Sequence, residues 1–418
     1  MEGSKSKILY LCADTGIPYW GTKGGSIHMR EFVSNLSQMG YEITVVARGA
    51  DANGLNDDSV TYFDLPPLSE DESQGELEKT GDKEKLGKEM TQFGHNAGIE
   101  SLLSMLHSQN DFDLVYERYS LFCKAGLSFA RAHGLPFVLE VNAPLIDEAS
   151  LYRGLMLVDL ARSVENRLFV EADHIFSVSD EVSDYVKSVV PGAVVSVVPN
   201  GVTVERFADI EKKVTADLPI SRYDDSDFVV GFVGSLKPWH GIEVLIDAFS
   251  RLPDNDARNR LLIVGGKGKQ KAELKDLCRK MGLKRKVKLT GAVEHDTIPA
   301  LLQMTDVLVA PYPDLADFYF SALKIFEYMA AGKAIVASSL GQIEKILAHE
   351  QSALLVPPGD VDALRDALLR LKKDPELRRK LGENARIEAI GKHAWKSRLR
   401  TVAVVFEELT VNAGIKRP

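Results

Sequence analysis

Short β-rich runs alternate with amphipathic helical stretches along the chain, and the rhythm starts afresh at Phe228-Val-Val-Gly-Phe-Val233. Strands separated by helices must be joined by crossovers, so the pattern dictates βαβ units, parallel sheets and helices on the sheet faces. With 418 residues the chain exceeds one ordinary core, and two domains of about 200 residues each are expected. The fold class is therefore α/β, with two doubly wound parallel sheets.

In the first half, Lys7–Cys12 reads as a strand, Gly25–Met39 as a helix, and Tyr41–Ala47 as the next strand, with Gly40 as the helix stop between them. Leu114–Glu117, Pro136–Val141 and His174–Val178 continue the series. The polar run from Pro66 to about Lys85 breaks it and reads as an excursion or a short solvated helix. A short strand at Val195–Pro199 ends in the turn Asn200-Gly201, and Ala208–Asp227 is polar and irregular. The expected division is 1–210 and 211–394, with a helix over about 395–412 returning to the first domain. After Phe228–Val233 come the helix Ile242–Arg251, strands at Leu261–Val264, Val287–Leu289, Val307–Ala310 and Ala334–Val336, and helices over Val361–Lys372 and Pro375–Ile390.

No apolar run approaches the roughly 18 to 20 residues that span a bilayer, and the start lacks a secretory apolar segment, so a cytoplasmic protein, at most peripheral to a membrane, is expected. Cys12, Cys123 and Cys278 are odd in number and far apart, which indicates neither a disulfide framework nor a metal cage. Of the net charge of −9, residues 1–200 carry 16 Lys and Arg against 30 Asp and Glu, leaving 35 against 30 for the rest. The second half is thus the better anion binder, while nucleic acid and anionic lipid are disfavoured partners.

The run Ser321–Ala337, SALKIFEYMAAGKAIVA, carries the sharpest chemistry. Lys324 and Glu327 lie three apart and share one face near a helix N-terminus, where backbone amides and the dipole favour an anion. A cation beside free amides suits a diphosphate, and a carboxylate one turn on suits a ribose diol. The plainer alternative is an i,i+3 ion pair on a solvated helix. The loop Gly234–Gly241 adds Lys237 and His240 near another helix N-terminus, and is otherwise a solvated loop over Trp239. After the first strand, Lys23-Gly24-Gly25-Ser26 brings bare amides to the next helix, without the spacing of a P-loop or a dinucleotide site. Glu117-Arg118 and Glu140-Val-Asn142 sit at strand ends, where ligands gather in open α/β sheets; a Glu117–Arg118 or Glu140–Arg118 structural pair is the alternative. The D-x-D tracts at Asp111–Asp113 and Asp225–Asp227 precede strands, and histidines do not cluster, so no metal is expected.

These stretches resemble glycosyltransferase family 4. The resemblance runs through GGSIHMREFVSNLSQMGYEITVV, VVPNGVTVERF, GFVGSLKPWHGIEVLIDAF, LLIVGGKGKQKAELKDLC, VKLTGAVEHDTIPALLQMTDVLVAPY, FYFSALKIFEYMAAGKAIVAS and ALLVPPGDVDALRDAL, in that order, from Ile8 to about Trp395. It implies the GT-B fold, two facing Rossmann-like domains with an interdomain cleft, the nucleotide-sugar in the C-terminal domain and the acceptor mainly in the N-terminal one. It further implies retention of anomeric configuration, with no cofactor beyond the nucleotide-diphosphate sugar as co-substrate. Carried over by position, Lys237 and Lys324 join Glu327 and Asn142 as catalytic candidates. Gly24, Gly25, Ser235, His240, Tyr312, Ser321, Ala322 and Leu323 become donor-binding candidates, and His28, Glu117 and Arg118 acceptor-binding ones. Two departures stand out: Tyr319 replaces a glutamate that many members carry eight residues before the one matching Glu327, and Asn142 falls roughly where many carry a histidine. A front-face mechanism, with a diphosphate oxygen accepting the acceptor's proton, fits the loss of that histidine. The expected activity is transfer of a hexose-type sugar from a nucleotide-diphosphate sugar to a small-molecule or glycan hydroxyl. An epimerase or phosphorylase on the same fold, or a sugar-nucleotide-binding protein without transferase activity, are the alternatives.

Overall fold

The computed structural model describes residues 6–53, 59–68, 81–208, 218–221, 223–253, 258–315 and 317–415. Most of the polar excursion expected after Pro66, residues 69–80, lies outside the described residues, as does much of the stretch between the two β/α series. The chain divides into two compact units, one of Met1–Gly21, Gly25–Pro199 and Arg398–Pro418, the other of Thr22–Gly24 and Asn200–Ser397. Among the described residues no helix is long and apolar enough to cross a membrane.

The first unit holds a seven-stranded sheet in the order β3-β2-β1-β4-β5-β6-β7, parallel throughout. Its strands are β1 (Lys7–Cys12), β2 (Glu42–Ala47), β3 (Val60–Asp64), β4 (Leu114–Arg118), β5 (Phe137–Val141), β6 (His174–Ser177) and β7 (Val195–Val197). Every residue of β4 and β5 is buried, as a parallel sheet covered by helices on both faces requires. The helix Asp82–Asn110 supplies one such cover, burying Ile99, Leu103 and Leu106. The last helix, Trp395–Ile415, brings Phe406 edge-on to Tyr41 and Tyr116, with ring centroids 5.9 and 5.8 Å apart.

The second unit repeats the plan with six parallel strands in the order β10-β9-β8-β11-β12-β13. They are β8 (Asp227–Val233), β9 (Arg258–Val264), β10 (Val287–Gly291), β11 (Val307–Ala310), β12 (Ala334–Ser338) and β13 (Leu354–Val356). Because successive side chains point to opposite faces, each strand feeds two cores. Val307, Val309, Ala334 and Val336 join Phe228, Val230 and Phe232 on one face. Leu308, Ala310, Ile335 and Ala337 join Val229 on the other.

In both sheets the winding reverses beside the first strand of the series, between β1 and β4 and between β8 and β11. Connections leaving the carboxyl ends of two such strands go to opposite faces and open a crevice there. The loop Gly234–Gly241 leaves β8, and the segment from Pro311 to the helix Leu323–Ala331 leaves β11, so the strand order alone brings the candidate residues of this unit to one place.

Candidate active site

The helix Leu323–Ala331 follows an extended approach through Ser321 and Ala322, the latter at its N-cap, and stops at Gly332, whose φ of 68° is the left-handed C-cap conformation that glycine adopts without strain. Asn200, from the turn after β7, fixes that approach: its amide donates to Ser321 Oγ at 2.9 Å and its Nδ2 donates to the Ser321 carbonyl. Ile325 N–H donates to the Ala322 carbonyl at 3.0 Å, while the amides of Leu323 and Lys324 before it have no intrahelical partner by position.

Lys324 and Glu327 are both buried, 8% and 9% exposed, so the solvated ion pair is ruled out. They also diverge. Lys324 Nζ lies 4.3 Å from the Phe232 ring centroid and 5.3 Å from that of Tyr312. It stands against Gly234, where a Cβ would come within 2.8 Å of it. This ammonium has no hydrogen-bond partner among the described residues, and burial, only partly offset by Glu327, pushes its pKa down from 10.5 to about 7. Glu327 instead meets His295 Nε2 at 2.6 Å.

His240 does not supply the cation expected of it. Burial, and then the charge of Lys324, push its pKa down to about 3, so at neutral pH the ring is uncharged, with Nδ1 turned to the Ser235 carbonyl. The ring stands edge-on to Tyr312, centroids 6.0 Å apart. Lys237 is exposed, its Nζ 5.6 Å from the centroid of the Trp239 ring, and Ser235 is exposed as well. Among the site cations of this unit, Lys324 is therefore the buried one. Tyr312, buried beneath Lys324, forms a wall and offers little surface for a donor contact.

Gly24 and Gly25 open the helix Gly24–Gln38, which belongs to the first unit from Gly25 onward. Gly25 has a packing reason of its own, since a Cβ there would lie 3.1 Å from Ile17. Two residues further on, His28 sets Nε2 2.8 Å from Glu140 Oε1, which Arg118 Nη1 also meets at 2.6 Å. Arg118 and Glu140 are register neighbours on β4 and β5, and Tyr116, two positions earlier on the same face, donates to Glu140 Oε2 at 2.7 Å. Asn142 Nδ2 donates to Oε1. Burial would raise the pKa of Glu140, but His28 and Arg118 reverse that and hold it well below the usual carboxylate range. The structural pair at this strand end is thus Glu140–Arg118.

Glu117 is corrected by the structure. It points to the opposite face of β4 from Arg118, is fully buried, and has its carboxyl against the Cys123 thiol and the Gly126 amide, with its pKa pushed up by burial to about 7. It presents no surface to an acceptor. The two acid tracts are likewise occupied: Asp113 accepts from the Lys7 amide at 2.8 Å, and Asp227 holds Arg258 and Arg260 at 3.1 Å each. No local pattern marks Asn200, beyond its turn, or His295 as a site residue. Both lie inside stretches that carry the family resemblance, VVPNGVTVERF and VKLTGAVEHDTIPALLQMTDVLVAPY, but their partners are 121 and 32 residues away.

Two family models match the chain in succession, Glycosyltransferase Family 4 over residues 22–206 and Glycosyl transferases group 1 over residues 215–388. An uncharacterized glycosyltransferase of Methanocaldococcus jannaschii is 24% identical over 92% of this chain and 94% of its own length. A phosphatidyl-myo-inositol mannosyltransferase of Mycolicibacterium smegmatis is 31% identical over 52% of this chain and 53% of its own. Among solved structures, sucrose-phosphate synthase from Thermosynechococcus elongatus superposes with a TM-score of 0.75 at 19% identity, covering 98% of this chain and 100% of that one. HepE of Anabaena, in complex with UDP, gives 0.69 at 19% identity, covering 96% and 100%.

Proposed function

The chain belongs to the family 4-like glycosyltransferases with the GT-B fold, and we propose that it moves a hexose-type sugar from a nucleotide-diphosphate sugar to a hydroxyl of a small-molecule or glycan acceptor, with retention and without a metal ion. One observation carries the reading: Lys324 Nζ, buried and without a hydrogen-bond partner among the described residues, lies beside the amides of Leu323 and Lys324 at the sheet's switch point. A buried ammonium whose cost a neighbouring carboxylate only partly offsets is expensive. A pyrophosphate there would neutralise it and accept hydrogen bonds from the amides of Leu323 and Lys324 as well.

In this scheme the helix Leu323–Ala331 binds the diphosphate and Glu327 accepts from the ribose hydroxyls. As the glycosidic bond breaks, negative charge grows on the leaving diphosphate, and Lys324 stabilises it in a site with little water, an effect worth on the order of 3 kcal/mol. Lys237, on an exposed and flexible stem, adds a second cation when it swings from Trp239. His240, neutral in the ligand-free protein, contributes shape and a hydrogen-bonding nitrogen. The acceptor's proton passes to a diphosphate oxygen, a route that requires no titrating base at Asn142. His28 and Arg118, both locked on Glu140, are the proposed acceptor contacts.

Support for a hexose-type donor comes from the relatives: a mannosyltransferase and a kanosaminyltransferase are among the similar proteins, and HepE has been crystallised with UDP-glucose. The test is release of nucleoside diphosphate when the protein meets UDP-, GDP- or ADP-sugars together with sugar, polyol and glycan acceptors. Release that requires both substrates supports a transferase. Tight donor binding without release under any pairing favours the non-catalytic binding protein, the reading to which Tyr319 and Asn142 lend weight.

A further inference from the structure

The carboxylate of Glu327 is held in place from outside its own helix. His295 lies in a one-turn 3-10 segment, His295–Thr297, between β10 and the helix Ile298–Gln303. Its Nε2 meets Glu327 Oε1 at 2.6 Å, with both side chains largely buried, 14% and 12% exposed. Its other nitrogen, Nδ1, faces Arg206 Nη1 at 3.2 Å, and Arg206, from the 3-10 turn Val204–Phe207, also meets Asp296 Oδ1 at 2.5 Å. A guanidinium can only donate, so Nδ1 must accept and the ring proton must reside on Nε2, aimed at the carboxylate. Arg206 thereby selects the tautomer that lets His295 grip Glu327.

With Oε1 engaged, the carboxylate cannot turn freely, and its remaining acceptor capacity is offered in one direction. A diol recognised through two hydroxyls demands such fixed geometry, because a carboxylate free to rotate loses affinity to its own ordering. We propose that His295 is a positioning residue for ribose recognition. Held in its tautomer by Arg206, it orients Glu327 so that the protein distinguishes a ribonucleoside diphosphate from its deoxy analogues. The inference rests on the reading of Glu327 as the ribose contact.

The test is a binding ratio. Whichever of UDP, GDP and ADP binds tightest is compared, by calorimetry, with its 2′-deoxy and 3′-deoxy forms on the wild type, His295→Phe and His295→Gln, after circular dichroism and thermal unfolding have shown each to be folded. The wild type is expected to prefer the ribo form by about tenfold or more, the effect of one hydrogen bond to a charged group. His295→Phe keeps the ring volume but not the donor and should bring the ratio close to one. His295→Gln restores an N–H at similar reach and should recover much of the preference, which a merely structural role would not predict. Should the Phe variant fail to fold, His295→Ala replaces it in the same comparison. A folded variant lacking the donor that still discriminates like the wild type overturns the proposal while leaving the ribose role of Glu327 intact. A wild type that binds the ribo and deoxy forms equally overturns that role itself.

Discussion

Replacing Lys324 with methionine should make the ligand-free protein more stable and the nucleotide complex weaker. The gap between 10.5 and about 7 for the Lys324 ammonium, at 1.36 kcal/mol per pH unit, sets an upper bound of about 5 kcal/mol on what burial of the charge costs. Since the folded-state pKa lies below the unfolded one, the unfolded chain holds the extra proton between about pH 7 and 10.5, and stability rises with pH across that window. Below pH 7 the ammonium is charged in both states and the whole cost is borne. Lys324→Met, which conserves the stem's contacts with Phe232 and Tyr312, should therefore gain on the order of 2 to 4 kcal/mol at pH 6 and lose that advantage toward pH 10. Binding reads the same group from the other side. A diphosphate recruits the charged form, so the wild-type dissociation constant should rise by up to tenfold per pH unit above about 7, while the Met variant should bind weakly and show no such slope. Urea unfolding at pH 6, 7, 8 and 9, with calorimetric titration of UDP, GDP and ADP at the same values, measures both. A variant that is less stable at pH 6 and binds nucleotide as well as the wild type would refute the reasoning.

Lys324→Ala should lower turnover by about a hundredfold or more with the fold retained, read in the nucleoside diphosphate release assay. Glu140→Ala leaves the Arg118 charge buried without its partner, and denaturant unfolding should show a loss of about 3 to 5 kcal/mol, much more than Glu140→Gln, which keeps an acceptor. Glu117, its pKa raised to about 7 in the folded protein, contributes stability that is complete below its ordinary value of 4.5 and is lost as pH rises through about 7. Glu117→Gln, neutral throughout, should gain up to about 3 kcal/mol relative to the wild type between pH 4.5 and 8, and a constant difference across that range would contradict this assignment. Gly241→Ala places a Cβ 1.7 Å from the Pro311 carbonyl at a φ of 65°, so the loop bearing Lys237 and His240 must shift; a lower melting temperature and weaker nucleotide binding are expected.

The β/α alternation, and with it the two-sheet plan, was legible because parallel strands buried on both faces are nearly continuous apolar runs. Lys7–Cys12 and Val307–Ala310 have the same ends in sequence and structure. What escaped was the exceptions to that signal. The strand Val60–Asp64 lies at the sheet edge with an exposed, polar-tipped pattern, and Leu354–Val356 is three residues long. The helix Asp82–Asn110 buries only Asn96, Ile99, Leu103 and Leu106 of its 29 residues, so its apolar stripe is too thin to announce a helix of that length. In the site, spacing put Lys324 and Glu327 on one helix, but not the burial that separates their roles. A group's protonation depends on neighbours that only the fold assembles: Lys324 beside His240, Arg118 and His28 around Glu140, and the apolar surroundings of Glu117. The partnerships Asn200–Ser321 and His295–Glu327 join residues brought near by tertiary structure, which no local pattern encodes.

The most direct measurement is a crystal structure of the protein with a bound nucleoside diphosphate. The account predicts phosphate oxygens within about 3 Å of Lys324 Nζ and of the first amides of the helix Leu323–Ala331, with the ribose hydroxyls on Glu327. A diphosphate bound elsewhere, with the Lys324 ammonium still set against Phe232, Tyr312 and Gly234, would contradict it.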